Sequence, residues 1–419
     1  MDNTRIKARQ LIVCIDGTNN RFSDEPTNVV RLFRSLPKDS ETLLAYYDQG
    51  VGTFGLSETL FEWQKVPSRI AGLMFGWGIK RNVLNAYRFL MENYRDGDQI
   101  FLFGFSRGSY AVRVLAALLH TIGLLPAHQV QLMDFAWSLL TTRLKSADNS
   151  KPNRQRAMSY AWWRMSADKK PDFDLMDAFK ASFARPVSIH FLGLFDTVSS
   201  VGWVYDPLIV PYTRRNEDVK IIRHAVSLDE RRSFFRQNLW TEGQGVNLKQ
   251  VWFAGVHADV GGGYPAGESQ LALIALRWMV GECLEAGLSI DVEACRAQLY
   301  PASSVLQDPL AQAHDSLTRN WLIAEWVPRL VWNPKTHKRV REYGSMPPFG
   351  KPRSREILTD KPGQKVRVHD SVAVRLKGSL ADDQPWGSQL TYQPENLLRI
   401  DAALIEQVGD SPRLDEYNL

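Results

Sequence analysis

Asp98-Gln99-Ile100-Phe101-Leu102-Phe103-Gly104-Phe105-Ser106-Arg107-Gly108-Ser109-Tyr110-Ala111-Val112-Arg113-Val114-Leu115 changes its hydrophobic pattern midway, and that change decides the fold. Up to Phe103 the apolar residues run without a break, over the length of a strand buried on both faces. From Ser109 to Leu119 they fall at helical spacing. Between the two lies Gly104-Phe105-Ser106-Arg107-Gly108, a serine between glycines on a strand-to-helix turn, which is the layout of a nucleophile elbow. The turn is tight, and a Cβ at either glycine would press on the strand or helix backbone. The serine hydroxyl is lifted above the sheet, beside a helix N-terminus that favours developing negative charge. The pentapeptide alone is a weak signal, and the same residues would serve a plain turn; the flanking strand and helix favour Ser106 as a nucleophile.

Outward from the elbow, strand and helix signals alternate. Leu11-Ile12-Val13-Cys14-Ile15 is a buried-strand run that ends in the turn residues Asp16-Gly17-Thr18-Asn19-Asn20. A helix is expected after Pro26, capped by Thr27 or Asn28. Leu43 to Tyr47 reads as a second strand, Lys80 to Asn93 as an amphipathic helix, and residues 187–195 and 250–254 as further buried strands. Such alternation implies an α/β fold with a mainly parallel sheet and helices on both faces. Residues 126–185 look helical and lack strand patterning, so they read as an insertion able to cap a site. After residue 300, prolines at 301, 309, 347, 348, 352 and 362 break the pattern. The expected organisation is a core over residues 1–300 and an irregular extension, 301–419, packed on it.

Bulk properties narrow the classes. The 419 residues are 44% hydrophobic and 23% charged, which suits a globular chain. The net charge of +5 comes from scattered Lys and Arg rather than a bank, so nucleic-acid binding is not expected. Cys14, Cys283 and Cys295 form neither metal spacing nor an even disulfide framework, the profile of a reducing compartment. The N-terminus lacks an apolar secretory core and no stretch is long enough to span a bilayer, so the chain is expected to be cytoplasmic when synthesised. Thirteen Trp is a high count. Trp77, within the small-apolar stretch 70–78, and Trp162-Trp163 suit either a packed helix or a lid at a lipid–water interface, hence a peripheral membrane contact.

A serine needs a base, and the base needs an orienting acid; in α/β-hydrolases the chain order is Ser, Asp or Glu, His, each on a loop after a strand. Asp196 follows the strand 187–195, although a turn-capping Asp would look the same. His257 follows the strand 250–254 and precedes Gly261-Gly262-Gly263, where backbone must approach something closely. Rival bases are His224, in a helix-like stretch, and His369, placed late in the chain. Asp259 could compete with Asp196 or bind a cation, but His-x-Asp alone is no metal site. For the oxyanion, one donor is expected at the Arg107 backbone N–H and the second on the Gly17–Thr18 loop, with Asp16 holding that loop. This chemistry calls for no cofactor and no metal.

Five segments together resemble the DUF2235 family of α/β-hydrolases, which includes the Tle1-type phospholipase effectors of bacterial type VI secretion. They are residues 15–20, Gly104-Phe105-Ser106-Arg107-Gly108-Ser109-Tyr110, residues 193–198, residues 227–232, and Trp252-Phe253-Ala254-Gly255-Val256-His257-Ala258-Asp259-Val260-Gly261-Gly262-Gly263-Tyr264. The resemblance covers about residues 8 to 280. It implies a Ser106–Asp196–His257 esterase acting on phospholipid acyl esters, type VI export, and a secretion-apparatus or immunity partner. Four alternatives stand beside it. A soluble non-lipolytic esterase would use the same residues, and a degenerate hydrolase fold would only bind. A haloacid-dehalogenase-type phosphatase, suggested by Asp16-Gly17-Thr18, would need an aspartate at position 14, where Cys14 stands. A dinucleotide fold fails because Gly-x-Gly-x-x-Gly is absent after the first strand.

Overall fold

The computed structural model describes residues 8–17, 25–38, 41–50, 68–141, 144–145, 169–170, 173–198, 202–203, 206–207, 210–232, 235–243, 245–301, 307–317, 329–333, 338–342, 355–357, 363–378 and 392–419. Eight strands form one sheet: β1 (Gln10–Ile15), β2 (Leu43–Asp48), β3 (Gln99–Phe105), β4 (Ile189–Phe195), β5 (Val219–Ser227), β6 (Asn247–Phe253), β7 (Val366–His369) and β8 (Ile405–Val408). Their order is β2-β1-β3-β4-β5-β6-β7-β8, and every neighbouring pair is parallel. Parallel neighbours need crossover connections, which explains the helices that alternate with the strands. The chain leaves β1 towards β2 and returns on the other side at β3. That reversal makes the carboxyl ends of β1 and β3 the switch point, the place where open parallel sheets bind ligands.

Strand periodicity sorts the core into two layers. Leu11, Val13 and Ile15 pack on one face with helices α2 (Ser68–Asn93) and α3 (Arg107–Ile122), while Ile12, Cys14, Phe101 and Phe103 pack on the other. That second layer is closed by α1 (Asn28–Arg34) and by a later buried helix, Gln270–Glu285. Helix α1 is capped by Thr27, whose hydroxyl accepts from Val30 N. All three cysteines are free and buried.

Two parts of the sheet differ from expectation. Residues 219–227, including His224, form strand β5 rather than a helix-like stretch. Their apolar run is broken by Arg223 and His224, both buried. Arg223 is matched by a salt bridge to Glu282, and His224 by Thr197 N–H and Gln250. These partners come from elsewhere in the chain, so local polarity misleads. The segment after residue 300 also extends the main sheet by two strands, β7 and β8, and Leu414 and Leu419 enter the second core layer.

The region expected as an insertion holds α4 (Met133–Thr141) and α5 (Phe173–Phe183), with a two-residue antiparallel pairing of 144–145 to 169–170 between them. Trp162 and Trp163 lie outside the described residues. Residues 70–78 belong to the backbone of α2. Among the described residues no helix is long and apolar enough to cross a membrane.

Candidate active site

Ser106 joins β3 to α3 with φ 58° and ψ −120°, a left-handed conformation that costs a non-glycine residue free energy. Its hydroxyl does not cap α3, the usual task of a serine at a helix start. The flanking glycines are there for close approach. A Cβ on Gly104 would lie 2.6 Å from the backbone of Gly108, and one on Gly108 would lie 2.1 Å from Ile15 O. The elbow is therefore pressed against its own strand and against the carboxyl end of β1. Phe105 pairs in register with Phe195 on β4, and Ser106 N donates to Phe195 O (3.0 Å). Ser106 and Asp196 accordingly leave neighbouring strands at the same level. Asp196 is also left-handed, with φ 38°, so two strained residues stand side by side above the sheet.

Asp196 is fully buried and saturated with donors. One carboxylate oxygen, Oδ2, accepts from His257 Nδ1 (2.5 Å) and Ser227 Oγ (3.1 Å). The other, Oδ1, accepts from Ser227 N (2.9 Å) and Arg355 Nη1 (2.5 Å). Burial by itself would raise the carboxyl pKa; the Arg355 cation and the imidazole override it and hold Asp196 well below the usual carboxylate range.

His257 opens a short helix, α6 (His257–Gly261), immediately after β6. Its ring lies against Phe105 (centroids 4.7 Å) and edge-on to Phe235 (4.9 Å), and its backbone N–H donates to Glu230 Oε2 (3.2 Å). Gly261 permits this layering, since a Cβ there would fall 1.8 Å from the Phe105 ring. Burial depresses the imidazole pKa and Asp196 opposes the shift, the net direction being down. A neutral imidazole whose Nδ1–H is held by a carboxylate can take a proton at Nε2. Glu230 stays ionised although buried: burial would raise its pKa, but Arg232 brings it down to about 2.

The other residues singled out in the sequence have separate engagements. Asp16 is buried and accepts from Thr27 Oγ1 (2.7 Å), Tyr47 Oη (3.0 Å) and Gly17 N (2.6 Å), which fixes the end of β1. The Gly17 N–H, expected to serve an oxyanion, is thus committed to Asp16; Thr18 lies outside the described residues. Arg107 N–H sits in the first turn of α3, directly after Ser106. Asp259 does not contact the His257 ring. It bonds Val256 N and His314 Nδ1 (2.6 Å), and the His314 ring stacks on Tyr264 at 3.6 Å. No cluster of three metal-ligating side chains occurs among the described residues. His369 stacks on Phe253 and bonds Ser371 Oγ (2.8 Å), and His224 accepts from Thr197 N (3.1 Å). Among the described residues, the histidine that meets Asp196 through its ring is His257.

Sequence reasoning missed Ser227, Glu230 and Arg355. Ser227 and Glu230 sit in the 227–232 segment already notable for its pattern, so closer attention to the end of β5 would have found them. Arg355 carried no local signal.

A wholly parallel sheet with a strained serine at a strand-to-helix turn defines an α/β-hydrolase-like protein. Over residues 9–282 the chain matches, and it belongs to, the family described as type VI secretion (T6SS) phospholipase effector Tle1-like, catalytic domain. An uncharacterized protein of Saccharomyces cerevisiae is 35% identical over 241 residues, covering 56% of this chain and 33% of the relative. The chain thus spans about a third of that relative's length. Among solved structures, an uncharacterized protein from Pseudomonas aeruginosa is 21% identical with a TM-score of 0.35, covering 68% of this chain and 46% of that one. The Tle1 effector bound to the VgrG spike of a type VI secretion system is 15% identical with a TM-score of 0.36, covering 79% and 89%.

Proposed function

We propose that the protein is a serine esterase that cleaves acyl esters of membrane phospholipids through an acyl-enzyme. The observation that carries this is the 2.5 Å hydrogen bond between buried Asp196 and His257, next to a serine held in the elbow conformation on the adjacent strand. In this reading His257 Nε2 accepts the Ser106 proton as Oγ attacks the ester carbonyl. Asp196 holds the imidazole with Nδ1 protonated and stabilises the imidazolium. The tetrahedral oxyanion is met by Arg107 N–H at the start of α3 and by a second donor from the loop after β1. The imidazolium then protonates the departing alcohol, and water, activated by the same histidine, releases the fatty acid.

Family membership supports a phospholipid substrate and delivery by a type VI secretion apparatus; an immunity protein as counterpart is part of the same proposal. A soluble ester remains the second reading, since the residues named would attack either. The test is hydrolysis of short- and long-chain p-nitrophenyl esters and of mixed phospholipid vesicles, with labelling by a fluorophosphonate probe, comparing wild type with Ser106→Ala. Fatty-acid release from vesicles, abolished by Ser106→Ala, is the expected result. Turnover confined to short soluble esters would refute the lipid substrate. Activity or labelling that survives Ser106→Ala would refute the serine mechanism, and failure of wild type to label or turn over would leave a binding module.

A further inference from the structure

The family match ends at residue 282, but the carboxylate of Asp196 is completed from beyond it. Arg355 is 6% exposed and its guanidinium has two engaged edges. Nη1 donates to Asp196 Oδ1 (2.5 Å) and to Ser227 Oγ (2.7 Å); Nε donates to Phe235 O (2.8 Å), which Nη2 also reaches. Phe235 is the residue whose ring stands edge-on to His257. One rigid fork therefore ties the acid to the aromatic wall of the base.

We propose that Arg355 is a positioning residue of the hydrolytic centre, which fixes the plane of the Asp196 carboxylate so that one oxygen stays aimed at His257 Nδ1. This rests on the reading of Ser106, Asp196 and His257 given above. A buried carboxylate with only His257 and Ser227 as partners would lack a compensating cation and be held less firmly in its plane. Arg355 occupies the second oxygen with an obligate donor, which holds the carboxylate plane aligned with the imidazole and keeps the acid ionised. The cation is placed on the far oxygen and does not touch the imidazole it serves. Other contacts follow the same route. His314, Asp315 and Ser316, three successive residues, bond Asp259, Arg231 and Glu230, and Tyr392 bonds Asp229. The chain after residue 300 thus grips both loops that flank His257.

A merely structural Arg355 would dock this segment, and its loss would lower stability. A positioning Arg355 has a different signature. The experiment uses the full chain, steady-state hydrolysis of p-nitrophenyl butyrate, the rate of fluorophosphonate labelling, and thermal unfolding of Arg355→Ala and Arg355→Lys. Arg355→Ala is expected to lower kcat and the labelling rate about 100-fold with KM nearly unchanged, the scale of a small misplacement at a reacting centre. Millimolar guanidinium, well below denaturing levels, is expected to restore at least about tenfold by filling the vacated site, whereas ammonium at equal ionic strength does not. Arg355→Lys, which cannot span Asp196, Ser227 and Phe235 O together, is expected to stay about tenfold or more below wild type at an unshifted Tm. Wild-type kcat in either variant overturns the proposal, as does a loss in folded Arg355→Ala that guanidinium leaves untouched. If Arg355→Ala fails to fold, Arg355→Lys decides alone. Failure of the wild-type chain to label at Ser106 would instead sink the triad reading beneath it.

Discussion

Replacing Asp196 by Asn tests the tautomer logic of the site, because the surrounding donors dictate how the amide must sit. The carboxylate receives Arg355 Nη1 and Ser227 N on Oδ1, and His257 Nδ1 and Ser227 Oγ on Oδ2. Arginine and a backbone N–H can only donate, so the amide oxygen is forced to the Oδ1 position. The NH2 group then points at His257 Nδ1. Ser227 Oγ can turn to accept from it, but the imidazole must present a lone pair at Nδ1 and carry its proton at Nε2. That is the wrong tautomer to deprotonate Ser106. The opposite orientation would aim NH2 at a buried guanidinium, a contact between donors with nothing to accept. The analogous loss in a serine-protease triad is about 10⁴-fold in kcat, equivalent to about 5.5 kcal/mol of barrier. Here Asp196→Asn is expected to lower kcat for p-nitrophenyl butyrate by 10³- to 10⁴-fold, with KM within about threefold and Tm lowered because a charge pair is lost. Retention of activity within about tenfold of wild type at neutral pH would refute the assignment of Asp196 as orienting acid.

The remaining expectations concern pH and packing. The His257 pKa lies below the ordinary histidine value, the result of burial opposed by Asp196, with Arg232 and Glu230 acting in opposite senses. Protonation removes the base, so kcat/KM for a neutral ester should hold through neutral pH and fall only below about pH 6.5; an acid limb centred above that value would contradict it. His224, driven down to about 4 by burial and by Arg113, binds its proton more readily unfolded than folded. Stability should therefore be lost as pH falls from about 6.5 towards 4, on the order of 3 kcal/mol in all. The difference in Tm between wild type and His224→Gln across that window isolates it, because other titrating groups, including Asp229 with its opposite shift to about 6, cancel. Gly108→Ala places a Cβ against fixed backbone at Ile15 O and should destabilise by more than about 2 kcal/mol in denaturant titration. Gly261→Ala drives into the Phe105 ring and should cost kcat as well as stability, since His257 packs on that ring; unchanged kcat would separate the ring from the base.

Much of this was legible in the chain because it is local. The elbow at 104–108 announces itself by a change of hydrophobic period and by glycines required by contacts four residues apart, Gly104 against Gly108. The carboxyl ends of β4 and β6 are marked by continuous apolar runs, which place Asp196 and His257 on loops at one edge of a sheet. The parallel architecture followed from the alternation of strands and helices. Strand β5 was not legible: Arg223 and His224 interrupt its pattern, and the groups that satisfy them, Glu282, Thr197 and Gln250, are chosen by the fold. The same holds for which histidine Asp196 meets. His257, His369 and His224 all follow or lie in strands, and only the register of β4, β5 and β6 brings the His257 ring to Asp196.

The sequence alone determined that this is a parallel α/β protein with a strained serine between a strand and a helix, because sterics and periodicity act between near neighbours. Tertiary structure decided that the chain after residue 300 adds β7 and β8 to the same sheet, and that Arg355 closes on Asp196. Those pairings join groups up to 159 positions apart, and no local preference specifies them. They exist because buried charges and donors must find partners, and the packed sheet determines which partners come within reach.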